Sequence, residues 1–143
     1  MTIQELIKLE DKAKEVWVIS PSLHYDVENA DFSELVSVNL GEKTKYRYIV
    51  PASKTVVKNL DLYQKKYNLT DENVISNFLL LPESEFNPFI TEIAIYDANT
   101  NCKACSAVGN EDGKDIMEFS PAASKSMADS FAEIWKKYKR VKP

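Results

Sequence analysis

The chain has 143 residues, enough for one domain of ordinary size, and 44% of them are hydrophobic. With 28% charged residues, three glycines and a net charge of −4, the composition excludes collagen-like and low-complexity proteins and disfavours nucleic-acid binding through bulk charge. No apolar run approaches the roughly 20 residues that span a bilayer, and acids interrupt residues 1–15 where a signal peptide would be apolar. We therefore expect a single cytoplasmic domain, residues 1–143, that does not contact a membrane.

The first half of the chain alternates between helical and strand-like patterns. Apolar residues at helical spacing predict a helix over residues 3–14. Residues 16–19 form a continuous apolar run, which is typical of a central parallel strand buried on both sides. A helix over residues 29–41 and a strand over residues 46–50 follow. This order predicts a strand–helix–strand unit.

The second half is predicted to hold a helix, four strands and a final helix. Ser53 is expected to cap the first of these helices and Ser120 the last. The strands are predicted at residues 74–81, 91–96, 104–108 and 116–119. The final helix places Phe131, Trp135 and Tyr138 on one apolar stripe. Together the elements predict an α/β fold with a mixed, mostly parallel sheet flanked by helices.

Two segments carry a resemblance to a known family. Residues 15–51 predict strand, loop, helix and strand, ended by Pro51, and residues 115–138 predict a short strand followed by a long helix that begins at a serine-proline pair. Together they resemble the opening and closing segments of one half of the phospholipase D superfamily. The resemblance implies a phospholipase D-like half-domain and a homodimer in which two motif strands face each other. By analogy with bacterial members, it also implies a role in ligand sensing, regulation or protein assembly.

The resemblance does not extend to the family's catalytic motif, His-x-Lys-x4-Asp. When Asp97 is placed on the family aspartate, Ile90 falls at the histidine position and Glu92 at the lysine position. Isoleucine cannot attack phosphorus, because it has no lone pair to form a covalent intermediate. A carboxylate at the lysine position would repel a phosphate group. We therefore expect a non-catalytic module without cofactor or metal. A divergent phosphodiesterase or nuclease that uses His24 remains an alternative.

Candidate ligand contacts lie in the loops after the first two predicted strands. Ligands of parallel α/β sheets gather at the carboxyl ends of the strands. The candidate residues at this rim are Ser20, Ser22, His24, Asp26, Ser53 and Lys54. Hydroxyls, a helix N-terminus and one ammonium would suit a small anionic ligand. Capping of a helix by Ser53 and a solvated Lys54 explain the same two residues without any ligand.

Two further patterns leave alternatives open. The basic run at residues 136–143 would suit a nucleic-acid-binding module, although a charged terminus is the more common meaning of such a run.

Cys102 and Cys105 form a single C-x-x-C pair in a polar turn. We expect ordinary reduced thiols, because a redox pair normally begins a helix and a zinc site needs about four ligands. A zinc site with four cysteines shared across a dimer is the alternative.

Overall fold

A computed structural model describes residues 1–86, 91–107 and 116–143. The α-helices are α1 (Ile3–Lys12), α2 (Tyr25–Glu28), α3 (Ala30–Gly41), α4 (Lys54–Lys66), α5 (Asp71–Asn77) and α6 (Pro121–Lys139). The strands are β1 (Glu15–Ile19), β2 (Lys45–Pro51), β3 (Phe78–Leu81), β4 (Ile93–Tyr96), β5 (Lys103–Ala107) and β6 (Ile116–Glu118). A short 3-10 turn, Glu83–Glu85, follows β3.

The strands form one six-stranded sheet in the order β3-β2-β1-β4-β5-β6. The pairs β3–β2 and β2–β1 are parallel, and the remaining three pairs are antiparallel. The α/β class and the mixed sheet are thus confirmed, but the sheet is not mostly parallel. A parallel neighbour needs a long crossover connection, usually through a helix. Helices link β1 to β2 and β2 to β3, whereas only a short turn joins β4 to β5.

One face of the sheet, called here the tyrosine face, carries Tyr46, Tyr48 and Tyr96. In the strand register, Val16 lies between Tyr46 and Tyr96, and Val18 lies beside Tyr48. All three tyrosines are buried. Helices α1 to α4 cover this face through buried side chains that include Leu6, Val27, Val36, Val56 and Tyr63.

The opposite face, called here the tryptophan face, carries Trp17 and Ile95 and is covered by α6. The Phe131 ring lies 4.9 Å from the Trp17 ring and 5.8 Å from the Trp135 ring, in nearly parallel planes. Such stacked aromatic rings bury large apolar areas. The helix begins where the sequence predicts, because the Ser120 side chain caps its first turn and proline follows.

Three local predictions need correction. The first half of the predicted strand at residues 74–81 is helix α5, because Thr70 and Asn73 form a reciprocal capping box that starts a helix there. The single turn α2 was not predicted. Tyr138 is exposed and lies outside the apolar stripe of α6. The predicted strands at residues 16–19, 46–50 and 116–119 are confirmed to within about two residues.

Candidate ligand cavity beneath helix α1

A cavity of ≈ 40 Å³ lies between α1 and the tyrosine face. One water needs about 10–15 Å³ on this measure, so the cavity has room for roughly three waters or a molecule of a few heavy atoms. Most of its walls are apolar: Ile3, Leu6, Val18, Phe32, Ala94, Cys105 and Ile116. Its polar lining comes from Glu10, Asp26, Glu92 and Tyr96. We call this space the acidic cavity.

Glu10 enters the acidic cavity from α1. Helix α1 is capped at Thr2. Leu6 and Glu10 have i,i+4 spacing and therefore lie one turn apart on the helix face that packs on the sheet. The Glu10 carboxyl accepts hydrogen bonds from the hydroxyls of Tyr46 at 3.1 Å and Tyr96 at 3.0 Å. The Asn39 side-chain amide supports this end by donating to the Tyr46 hydroxyl at 3.0 Å. A buried acid thus ties α1 to β2 and β4.

Asp26 lies on α2 and is held by tyrosines. The Tyr48 hydroxyl donates to the Asp26 carboxyl at 2.5 Å and lies 3.1 Å from the Tyr63 hydroxyl. The Tyr67 hydroxyl donates to the Asp26 carbonyl, and the Ser33 hydroxyl donates to the same oxygen at 3.2 Å. These bonds place the carboxyl beside β2 although α2 has only one turn.

Glu92 stands just before β4, next to the end of β1, because Ile93 pairs with Ile19. The residue as a whole is partly exposed, yet its carboxyl is turned inward, where it lines the acidic cavity and hydrogen-bonds the Ser20 hydroxyl. Ser20 is fully buried and also accepts the Leu23 amide at 2.8 Å. The loop after β1 and the start of β4 are therefore joined at this carboxyl.

Burial raises the pKa of all three carboxyls. Loss of hydration is the largest cause in each case, and it raises the pKa of Glu10 to about 8, of Asp26 to about 6 and of Glu92 to about 8. The negative charge of Asp26 raises the pKa of Glu10 and Glu92 further, while hydrogen bonds from tyrosine or serine oppose the shifts. Among the described residues, the charges that act on Glu10 and Glu92 come from neighbouring carboxylates, chiefly Asp26. The cavity therefore disfavours additional negative charge.

The predicted rim residues separate into two groups. Asp26 lines the acidic cavity, and Ser20 hydrogen-bonds Glu92, which lines it as well. Ser53 and Lys54 start α4, and the Ser53 side chain accepts the Val56 amide at 3.1 Å, which is the capping role. Helix α4 reaches the loop after β1 through Asn59, which donates to the Ser22 carbonyl at 2.7 Å.

His24 has a partner of its own in that loop. Its Nδ1 atom lies 2.7 Å from the Glu28 carboxyl, one turn further along the chain. Both side chains are partly or largely exposed to solvent. The contact is an i,i+4 surface pair rather than a member of the carboxyl group around the acidic cavity.

The residues aligned with the phospholipase D motif have different surroundings. Ile90 lies outside the described residues. Glu92 faces the acidic cavity at the start of β4, whereas Asp97 follows the other end of that strand. The Asp97 Oδ1 atom accepts the amides of Lys14 at 2.9 Å and Glu15 at 3.1 Å. Asp97 therefore closes the connection between α1 and β1.

Cys102 and Cys105 pack on opposite faces of the sheet. Cys102 contacts the core of the tryptophan face, and Cys105 belongs to the core of the tyrosine face. Burial raises the pKa of both thiols, that of Cys105 to about 11. Both are free cysteines, and a raised pKa lowers the fraction of the reactive thiolate form. In the described part of the chain, no group of three or more His, Cys, Asp or Glu residues is arranged to hold a metal ion.

Glu10 and the tyrosines were not predicted from the sequence as members of this site. A signal was present for Glu10, since it stands at helical spacing from Ile3 and Leu6 on the apolar stripe of α1. A charged residue on such a stripe is rarely buried without partners. Its partners Tyr46 and Tyr96 lie 36 and 86 residues away along the chain, so only the folded structure pairs them.

A scan against protein-family models and searches of curated proteins and of solved structures find no match to this chain. Among the described residues, no helix is long and apolar enough to pass through a membrane.

Proposed function

We propose that this chain is a non-catalytic, phospholipase D-like module that senses a small molecule in the acidic cavity, as a regulatory or assembly domain of the cytoplasm. The observation that carries the proposal is the cavity itself. It is lined by apolar side chains and carries carboxyl groups from three separate parts of the chain. Ligand sites in proteins typically combine apolar walls with a few convergent polar groups.

The chemistry of the lining favours binding over phosphodiester hydrolysis. Glu92 replaces the lysine of the family motif, and its carboxyl shares the cavity with those of Glu10 and Asp26. A phosphate would meet carboxyls where the family supplies a cation. The Asp97 side chain is occupied by two backbone amides of the α1–β1 connection. These arrangements favour a ligand with an apolar body and a cationic or hydrogen-bond-donating head.

The proposal can be tested with three molecules of similar size: propylammonium, 1-propanol and propionate. We expect propylammonium at millimolar concentration to shift the amide NMR signals of residues around the cavity, 1-propanol to shift them less, and propionate to leave them unchanged. At pH 7 the Asp26 carboxyl, whose pKa is raised only to about 6, carries a negative charge, and this charge ranks the cation first and the anion last.

A matched pair of variants locates the binding. Ala94→Leu fills the cavity without removing a carboxyl and should abolish the propylammonium shifts. Ala132→Leu lies on α6, against the tryptophan face, and should leave them intact. If none of the three molecules shifts the cavity signals, or if Ala94→Leu binds as the unmodified protein does, the proposed function is wrong.

A further inference from the structure

Helix α1 is the most weakly anchored of the three longer helices on the tyrosine face. Its buried residues are Leu6 and Glu10, with Ile3, Ile7 and Leu9 partly buried against the same core, whereas α4 buries three residues and α3 buries five. A ten-residue helix is marginal in water without tertiary contacts. One of the two buried side chains that attach α1 to the sheet is therefore ionisable, so the charge state of Glu10 affects this attachment.

Among the described residues, the groups that line the cavity around Glu10 come from several elements and include no cation. Tyr46 of β2 and Tyr96 of β4 donate hydrogen bonds to its carboxyl. Asp26 of α2 and Glu92, just before β4, line the same cavity and interact with it electrostatically. The remaining titratable group on the cavity wall is Cys105 of β5.

A positive charge, the Met1 ammonium, lies at the β5–β6 side of the cavity. It donates to the Ile116 carbonyl at 3.3 Å and acts on the Cys105 thiol. The charges that act on Glu10 and Glu92 are nevertheless carboxylates. When all three cavity carboxyls ionise, they repel one another in a poorly hydrated space.

We infer that α1 is a proton-controlled cover, which stays on the sheet while the carboxyls of the acidic cavity carry protons and detaches from it when they ionise. Protonated Glu10 remains a hydrogen-bond partner for both tyrosines at little desolvation cost. Ionised Glu10 adds its charge to those of Asp26 and Glu92, and release of α1 lets all three carboxylates reach water.

The direction of the pH dependence follows from the shifted ionisations. Burial raises the pKa of Glu10 and Glu92 to about 8, so the closed state retains protons that an open, hydrated state would lose. Opening therefore becomes more favourable as the pH rises from the ordinary glutamate pKa of 4.5 to about 8. As a means of regulating ligand entry the cover rests on the proposed function, but its release is measurable without any ligand.

Hydrogen exchange of the α1 amides tests the inference directly. We expect protection factors, corrected for the pH dependence of intrinsic exchange, to fall across α1 by about tenfold per pH unit for each proton that opening releases. Protection across α6 should remain higher than that across α1 at pH 8, because α6 packs on the other face of the sheet and is exposed only by wider unfolding. Equal protection of α1 at pH 6 and pH 8 would overturn the inference.

Two variants and a control identify the responsible groups. Glu10→Gln keeps an oxygen for the tyrosine hydroxyls but cannot ionise, so α1 should stay protected at pH 8. Glu92→Gln removes one repelling charge and should reduce the pH dependence, which provides a second test if Glu10→Gln does not fold. Asp11→Asn, on the exposed side of the same helix, should behave as the unmodified protein. If both Glu10→Gln and Glu92→Gln keep the full pH dependence, the inference is wrong.

The ligand experiment and the exchange experiment can fail separately. Release of α1 without propylammonium binding would support the cover and contradict the proposed function. Binding with a pH-independent α1 would support the function and overturn the cover.

Discussion

The two faces of this sheet bury different kinds of side chain. On the tryptophan face, α6 packs apolar and aromatic rings against Trp17 and Ile95. On the tyrosine face, the rings carry hydroxyls. These hydroxyls donate hydrogen bonds to Glu10 and Asp26, the two buried acids among the described residues. Buried apolar rings stabilise whatever the pH, whereas buried carboxyls stabilise only while their charge state suits the site.

This difference divides structural and adaptable roles between the faces. The contacts of the tryptophan face contain no buried carboxyl among the described residues, so their contribution to stability does not depend on the ionisation of a buried acid. The tyrosine face accepts a less stable arrangement of polar groups and encloses a cavity. Polar groups that reduce stability are commonly retained at functional sites.

The largest expected effect comes from breaking the tryptophan face. Trp135→Ala should lower the free energy of unfolding by about 3–5 kcal/mol, because the ring is buried and stacks on Phe131. Urea denaturation measures the loss. Tyr138→Ala, three residues further along, removes an exposed ring and should cost below about 1 kcal/mol. Equal losses for the two variants would show that α6 is placed incorrectly.

The second-largest effect is expected in the pH dependence of stability, which arises from the carboxyls on the tyrosine face. The folded protein retains protons on Glu10, Asp26 and Glu92 at pH values where the unfolded chain has lost them, because burial raises the pKa of each. The free energy of unfolding should therefore fall as the pH rises from about 5 to about 8, by about 1.4 kcal/mol per pH unit for each proton so retained.

Denaturation at several pH values, with one variant on each face, makes this comparison. Glu92→Gln should flatten the pH profile, whereas Glu133→Gln, which is exposed on α6, should leave it unchanged. A profile that rises between pH 5 and pH 8 in the unmodified protein would contradict the burial of protonated carboxyls.

A smaller effect is expected at the connection that brings α1 over the tyrosine face. Asp97→Ala removes the acceptor of the Lys14 and Glu15 amides and should lower the free energy of unfolding by about 1–3 kcal/mol. Asp97→Asn keeps one side-chain oxygen and tolerates the positive φ of 48° at this position, so its loss should be smaller. If the alanine and asparagine variants are equally stable, Asp97 does not hold this connection.

The smallest effect is expected at His24, which is not one of the residues that line the acidic cavity. His24→Ala removes a partly exposed i,i+4 contact with Glu28 and should change the free energy of unfolding by less than about 1 kcal/mol. Hydrolysis of bis(p-nitrophenyl) phosphate should stay at the buffer background in both proteins. Hydrolysis by the unmodified protein that is lost in His24→Ala would revive the phosphodiesterase alternative.

The elements could be predicted where their signal is local. Neighbouring residues alone specify the strand at residues 16–19 and the start of α6 at Ser120-Pro121. Both elements are found where expected. The run at residues 74–81 was misassigned, because the Thr70 capping box competes with the apolar character of the residues that follow. Asp26 and Glu92 were singled out for other roles, and their place at one cavity was not foreseen.

The sequence by itself determined the α/β class, the central position of β1 and the apolar residues Phe131 and Trp135 of α6, because hydrophobic periodicity is a property of neighbouring residues. Only the tertiary structure decided which strands pair antiparallel and which acid meets which hydroxyl. Glu10, Asp26 and Glu92 come together because α1, α2 and the start of β4 converge on one face of the sheet. The shifts in their pKa arise from desolvation and mutual repulsion, which depend on distance and burial in three dimensions.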